Sequence, residues 1–257
     1  MIFSLDKPVK ITLLGAGGTG GYVVPHLYRL LHTLDRCTKV VICDGDIVEK
    51  KNLIRQNFIH ADLGKNKAQV LAERYAAAFG LEASYIPDFI EDEHTLLELV
   101  KPDTYPTGPY SYQREEALSI LIGCVDNNKS RQLCHRVFKA SNNLIYIDSG
   151  NSEFTGQVVC GVRRKGRAYY KPIGDVFPDI LGDTDKFPTE LSCAEAAISA
   201  PQSVMANIMA GTAVMSYLYN ILVLGSTTTR YVTFSAKSIN IKPTVTQNRR
   251  RMMKMAA

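Results

Sequence analysis

Apolar and polar positions follow two rhythms along this chain, and the change from one to the other marks the elements. "VKITLLGAG" (9–17) is an apolar run of strand length, glycines follow it, and "YVVPHLYRLLHTL" then places apolar residues at helical spacing. A strand, a tight turn and a helix are predicted. "KVVICDGD" reads as a second strand, "IVEKKNLIRQNFIHADLGKN" as a polar connection, and "KAQVLAERYAAAFG" as a helix closed by Gly80. "EASYIPDFI" (82–90) is expected to be a third strand and "EHTLLELV" a helix, with "KPDTYPTGPYSYQ" a surface loop or small hairpin. "ALSILIGCVD", "NKSRQLCHRVFKASN" and "LIYIDSG" continue as strand, helix and strand. This alternation predicts an α/β, Rossmann-like fold whose mostly parallel sheet carries helices on both faces.

After Gly150 the pattern changes. "FTGQVVCGVRRKGRAYYKP" predicts a hairpin turned at Lys165 and Gly166, so antiparallel strands extend the sheet in the C-terminal half. A loop rich in proline and aspartate (172–188), an apolar helix (203–225) and a last strand "RYVTFSAKSI" are expected to follow. The apolar helix has no charge over a length that could span a bilayer. Asn207, Thr212, Ser216 and Asn220 interrupt it and basic anchors are missing at its ends, so it is expected in the core or in a dimer interface.

Composition narrows this picture only a little. With 257 residues, 46% of them hydrophobic, the chain can bury one sizeable core, and a single domain is expected over 1–247 with a basic tail at 248–257. Of the net charge of +5, Arg249, Arg250, Arg251 and Lys254 supply four, so the body is nearly neutral and no nucleic-acid partner is expected. "MIFSLDKPVK" lacks the apolar stretch of a signal peptide, and a cytoplasmic protein with no membrane association is expected. Six cysteines without a CxxC pair indicate neither a disulfide framework nor a zinc knuckle. Cys43, Cys124, Cys134 and Cys160 fall in apolar or helical runs, as small buried hydrophobes do.

The chemistry begins at the glycines. Gly15, Gly17 and Gly20 fit G-x-G-x-x-G between a strand and a helix, where backbone N–H groups can meet phosphate oxygens. Asp44 and Asp46 end the second strand, where a carboxylate can accept hydrogen bonds from ribose hydroxyls. To this point an NAD-dependent oxidoreductase fits equally well. Asn52, Arg55, Gln56 and Lys67 then follow the ribose-binding strand, and a triphosphate that must lose pyrophosphate needs cations placed along it. Asp126, at the carboxyl end of the fourth strand, suits a Mg²⁺ held against phosphates, although an ordinary helix N-cap would look the same.

The blocks "GAGGTGG", "DGDIVEKKNLIRQ", "DLGKNKA", "CVDN" and "LSCAEAAISAP" together resemble the ThiF/MoeB family, the adenylating core of ubiquitin-activating enzymes, over most of residues 10–224. The resemblance implies Mg·ATP as cosubstrate and a small ubiquitin-like or sulfur-carrier partner with a flexible Gly-Gly end, whose carboxylate is joined to AMP with release of pyrophosphate. A homodimer is implied as well. By position, Gly17 and Gly18 would contact phosphate, Asp44 the ribose, Asn52, Arg55 and Lys67 the phosphates, and Asp126 the metal. Residues 1–150 would form the nucleotide-binding half, and 151–247 a partner-facing half with a crossover loop at 172–200. Cys193, at the same place as a cysteine that takes the acyl group in some members, would be either that nucleophile or an inert thiol.

The chain departs from the family pattern in two ways. It has "YYKPIGDVFP" where many members carry a CxxC pair, so no structural zinc is expected, and its first strand is expected within about ten residues of Met1, which leaves open whether an arginine reaches a partner subunit's site as in many members. A nucleotide-binding module of the same fold without turnover is the alternative.

Overall fold

The chain is described by a computed structural model covering residues 1–108, 111–191 and 202–245; Cys193 and the tail at 248–257 lie outside the described residues. The expected alternation is present. In chain order the elements are β1 (Val9–Leu14), α1 (Gly18–His32), β2 (Thr38–Cys43), α2 (Lys67–Phe79), β3 (Tyr85–Ile86), α3 (Glu93–Val100), β4 (Thr104–Pro106), β5 (Arg114–Glu116), β6 (Leu118–Gly123), α4 (Asn128–Ala140), β7 (Leu144–Asn151), β8 (Thr155–Arg164), β9 (Arg167–Tyr170), α5 (Ile173–Val176), α6 (Val204–Leu222), β10 (Thr229–Ser235) and β11 (Asn240–Val245).

Among the described residues one mixed sheet runs in the order β11-β10-β8-β7-β6-β1-β2-β3, with β9 paired to β8. Strands β7, β6, β1, β2 and β3 are parallel, and β8 to β11 are antiparallel to their neighbours. The central strands are mostly apolar because both faces are covered, with Lys10, Thr12, Ser119 and Asp148 as buried exceptions. Ile11, Leu13, Ile42, Ile122 and Ile147 point into the core shared with α1, α2 and α6, while Leu14, Val41, Leu121 and Tyr146 point into the core under α3 and α4.

Three boundaries differ from the sequence reading. The third strand shrinks to Tyr85–Ile86, since Pro87 has no N–H to continue a ladder. The last strand is two, β10 and β11, joined by a turn at which Ile239 has φ of +53°. The polar connection after β2 contains two 3₁₀ turns, Lys50–Ile54 and His60–Asp62. Helix α6 lies against α1, β7 and β8, with Ala206, Ala210, Val214 and Leu218 buried. Among the described residues no helix is long and apolar enough to cross a membrane.

Candidate active site

At the carboxyl ends of β1, β2 and β6, a cavity of about 280 Å³ opens between the glycine turn, the segment after β2 and the β6–α4 loop. This is where an open α/β sheet binds ligands. The glycines divide the work. Gly15 has φ of +90°, and a Cβ there would stand 2.6 Å from the Cys124 carbonyl oxygen; a Cβ on Gly20 would stand 1.9 Å from the Gly15 oxygen. These two allow the turn and the close approach of α1, and Gly15 lines the cavity together with Gly17 and Gly18. Gly18 is bare because the Asn207 amide crosses it, 2.7 Å from where a Cβ would sit.

Asp44 is buried, and each of its oxygens already accepts one backbone N–H: Oδ2 from Ala16 at 2.6 Å and Oδ1 from Asp46 at 2.8 Å. It therefore ties the glycine turn to the end of β2 and keeps lone pairs for a further donor. Burial pushes its pKa up to about 6; the nearby Lys67 and the two N–H groups pull the other way. Lys67, also buried, begins α2 and pairs with Asp46, Nζ to Oδ2 at 2.7 Å. Asn66 caps α2 through the Gln69 N–H and donates to the Asp44 carbonyl at 2.7 Å, which fixes the helix start against this turn.

The remaining predicted residues separate into liners and supports. Arg55, Gln56 and Asp126 line the cavity. Arg55 Nη1 donates to Gln202 Oε1 at 2.9 Å, and the buried Gln56 Oε1 has no hydrogen-bond partner among the described residues. Asn52 is not among the liners; its Oδ1 accepts from the Glu49 N–H at 2.8 Å and its carbonyl from the Gln56 N–H at 2.9 Å, so it shapes the 3₁₀ turn that presents Arg55 and Gln56. Nor is Asp126 the helix cap, because Asn127 accepts from the Ser130 N–H and fills that role. Asp126 thus lines the cavity without a capping role, and no cluster of three or more His, Cys, Asp or Glu able to hold a metal occurs among the described residues. A carboxylate on this lining fits Mg²⁺, which takes most of its oxygens from phosphates and water.

Several liners, and Asn207 behind them, were not anticipated from the sequence. Thr19 Oγ1 donates to Asn151 Oδ1 at 3.3 Å, Asn151 Nδ2 to Asn207 Oδ1 at 2.8 Å, and Asn207 Nδ2 to the Arg55 carbonyl at 3.4 Å. Asn151 ends β7 on the ligand-binding edge, a signal that could have been read; Asn207 looks like any polar interruption of an apolar helix. Phe89 and Ile90 supply an apolar wall, with the Phe89 ring lying over Gly45. Pro188 and Leu191 also line the cavity, and Thr189 between them is fixed to Glu91, its N–H donating to Oε1 at 3.2 Å and its hydroxyl bonding the other oxygen.

A ThiF family model matches residues 6–254. No curated protein sequence matches the chain. Among solved structures, PaaA superposes with a TM-score of 0.61 at 16% identity, over 92% of this chain and 64% of its own. E. coli MccB with ATP gives 0.61 at 18% identity over 92% and 63%, and the microcin C7 biosynthetic enzyme MccB with N-formylated MccA gives 0.61 at 18% over 92% and 64%. The chain therefore spans less than two thirds of the length of these structures, and at such identities the likeness is one of fold.

Proposed function

The chain belongs to the ThiF family, and from that premise we propose that it is an ATP-dependent adenylyltransferase acting on the carboxylate of a peptide or small protein. One observation carries the reading: Arg55, Gln56 and Asp126 line one cavity together with Gly17 and Gly18 of the glycine turn. A carboxylate nucleophile needs no general base, so the work is positioning it and offsetting charge at the α-phosphate. In the reaction the carboxylate oxygen bonds the α-phosphorus, the bond from that phosphorus to the β-phosphate's bridging oxygen breaks, and pyrophosphate leaves with the electron pair. Asp44 would accept from the ribose, the glycine turn and Gln56 would meet phosphate, and Arg55 would offset the charge that develops there. Asp126 would hold Mg²⁺, which when bound neutralises phosphate charge.

At the finer level, the substrate is proposed to be the Gly-Gly end of a ubiquitin-like or sulfur-carrier protein, with Cys193 capturing the acyl group and a homodimer as the working form. MccB has been solved with ATP and with MccA, which supports a peptide as the other substrate class. The alternative, a nucleotide-binding module without turnover, draws on one observation: Lys67 is already committed to Asp46.

Pyrophosphate exchange into ATP, measured with the full chain and a panel of Gly-Gly-ended carriers and peptides, tests the proposal. Exchange with any carboxylate substrate supports it. ATP binding with neither exchange nor AMP formation across the panel would favour the module. A covalent adduct that thiols reverse and Cys193→Ala cannot form would assign the second step.

A further inference from the structure

At the opposite edge of the sheet, the N-terminal segment, the starts of β6 and β7 and the β8–β9 hairpin enclose a second cavity, about 550 Å³ in volume. Its walls carry Lys7, Arg163, Arg164 and Lys165 against a single carboxylate, Glu116. Glu116 is partly engaged already, by Asn143 Nδ2 at 3.1 Å. The cations are held by neutral groups. Arg163 Nε donates to the Ser141 carbonyl at 2.6 Å, and Arg164 Nη2 donates to the Ile2 carbonyl at 2.6 Å while its guanidinium lies 4.8 Å from the Phe3 ring centre. Among the described residues Lys7 Nζ reaches only the Glu116 carbonyl, at 3.4 Å. None of the four forms an ion pair among the described residues. Both guanidinium groups are therefore anchored with donors to spare.

The hairpin tip adds an independent observation. Lys165 has φ of +48° and Gly166 +72°, and the tip is fastened by Lys165 N to Asn143 Oδ1 at 2.9 Å and Gly166 N to the Asn142 carbonyl at 3.0 Å. Such a turn favours glycine or asparagine at its first position, and a lysine there is strained. The chain thus carries a strained cation on the rim of a cavity already in excess of positive charge, where like charges repel unless a counter-charge is present.

We propose that this cavity binds a multiply charged, phosphate-bearing small anion, gripped by the Arg163 and Arg164 forks with Lys7 and Lys165 as point charges at the rim. A single carboxylate would leave most of the excess charge unopposed, whereas a phosphate group offers several acceptor oxygens to planar donors. The site lies apart from the candidate active site and does not depend on its reading.

Calorimetric titration of the full chain with inorganic pyrophosphate, free of magnesium and at constant ionic strength, tests the proposal. Wild type is expected to bind, and Arg55→Ala to retain the site. Lys165→Gly is expected to raise the melting temperature, because glycine takes positive φ freely, while weakening pyrophosphate binding several-fold. Arg163→Gln combined with Lys165→Gly should weaken it by about tenfold or more. Absence of binding by wild type at millimolar pyrophosphate would overturn the proposal. So would undiminished affinity in the double variant, or loss of all binding in Arg55→Ala. Citrate bound as tightly as pyrophosphate would overturn the phosphate assignment.

Discussion

Asp44 is buried with both oxygens engaged and a pKa pushed up to about 6 by that burial, so it changes charge close to neutral pH. In the unfolded chain it ionises near the ordinary carboxylate value, about 4. Between those two values the folded chain keeps a proton that the unfolded chain has lost, so this residue lowers stability as pH rises from about 4 to about 6 and adds no slope above. Nucleotide affinity should run the opposite way, since only the ionised group offers its full acceptor capacity to a ribose. ATP affinity is expected to fall as pH drops below about 6, by up to tenfold per unit. A binding series from pH 5 to 8 checks this, and a flat profile would remove Asp44 from the site. Asp126 offers a cleaner substitution because Asn127 remains as the helix cap. Asp126→Ala should abolish magnesium-dependent pyrophosphate exchange while changing unfolding free energy by less than about 0.5 kcal/mol. Full exchange in that variant would refute the metal assignment.

Helix α1 contains Pro25, which has no N–H to give the Gly21 carbonyl four residues earlier. Asn57 Nδ2 supplies the missing donor at 3.0 Å and also reaches the Tyr75 hydroxyl at 3.0 Å, so the loop after β2 repairs the helix that carries the glycine turn. Asn57→Ala should cost about 1–3 kcal/mol in urea unfolding, the range for a polar group stripped of its partner away from water; a change near zero would mean that water replaces the amide. The β10–β11 turn is the converse case. Ile239 is β-branched, 87% exposed and at positive φ, a combination with strain and little burial to offset it. Ile239→Gly should stabilise the chain by about 1 kcal/mol, and a lower melting temperature would show that the turn is not strained.

The two halves of the chain are joined by more than sequence. The sheet continues from β7 into β8 and β10, and α6 packs on α1 while sending Asn207 to Gly18, Asn151 and Arg55. Asn128 binds Asp185 through its N–H at 2.7 Å and Asp183 through its side chain at 2.6 Å, holding the segment that leads to Pro188 and Leu191 to the start of α4. Unfolding is therefore expected to be one cooperative transition, with far-UV circular dichroism and tyrosine fluorescence giving the same midpoint; the chain has no tryptophan to complicate the second signal. Separate midpoints would mean that the halves fold independently. Saturating Mg·ATP, at about 100 times its dissociation constant, should add about 2.7 kcal/mol to that transition.

The sequence by itself determined the parallel core, because strands buried on both faces are largely apolar and the helices between them carry an apolar stripe. It also determined where the glycine turn and the carboxylates at the strand ends would lie, since those ends share one edge of a parallel sheet. Local pattern could not divide the polar residues into liners and supports. Asn52 and Gln56 belong to one polar run, yet the 3₁₀ turn buries the first as a backbone cap and faces the second to the cavity. Nor could it separate Asp126 from Asn127, adjacent residues both able to cap α4, of which the fold used the second. Asn207 and Gln202, distant in sequence, reach Arg55 only because α6 packs across the glycine turn. Hydrogen bonds between residues more than a hundred positions apart are set by how helices pack on a sheet, and no spacing rule along the chain encodes them.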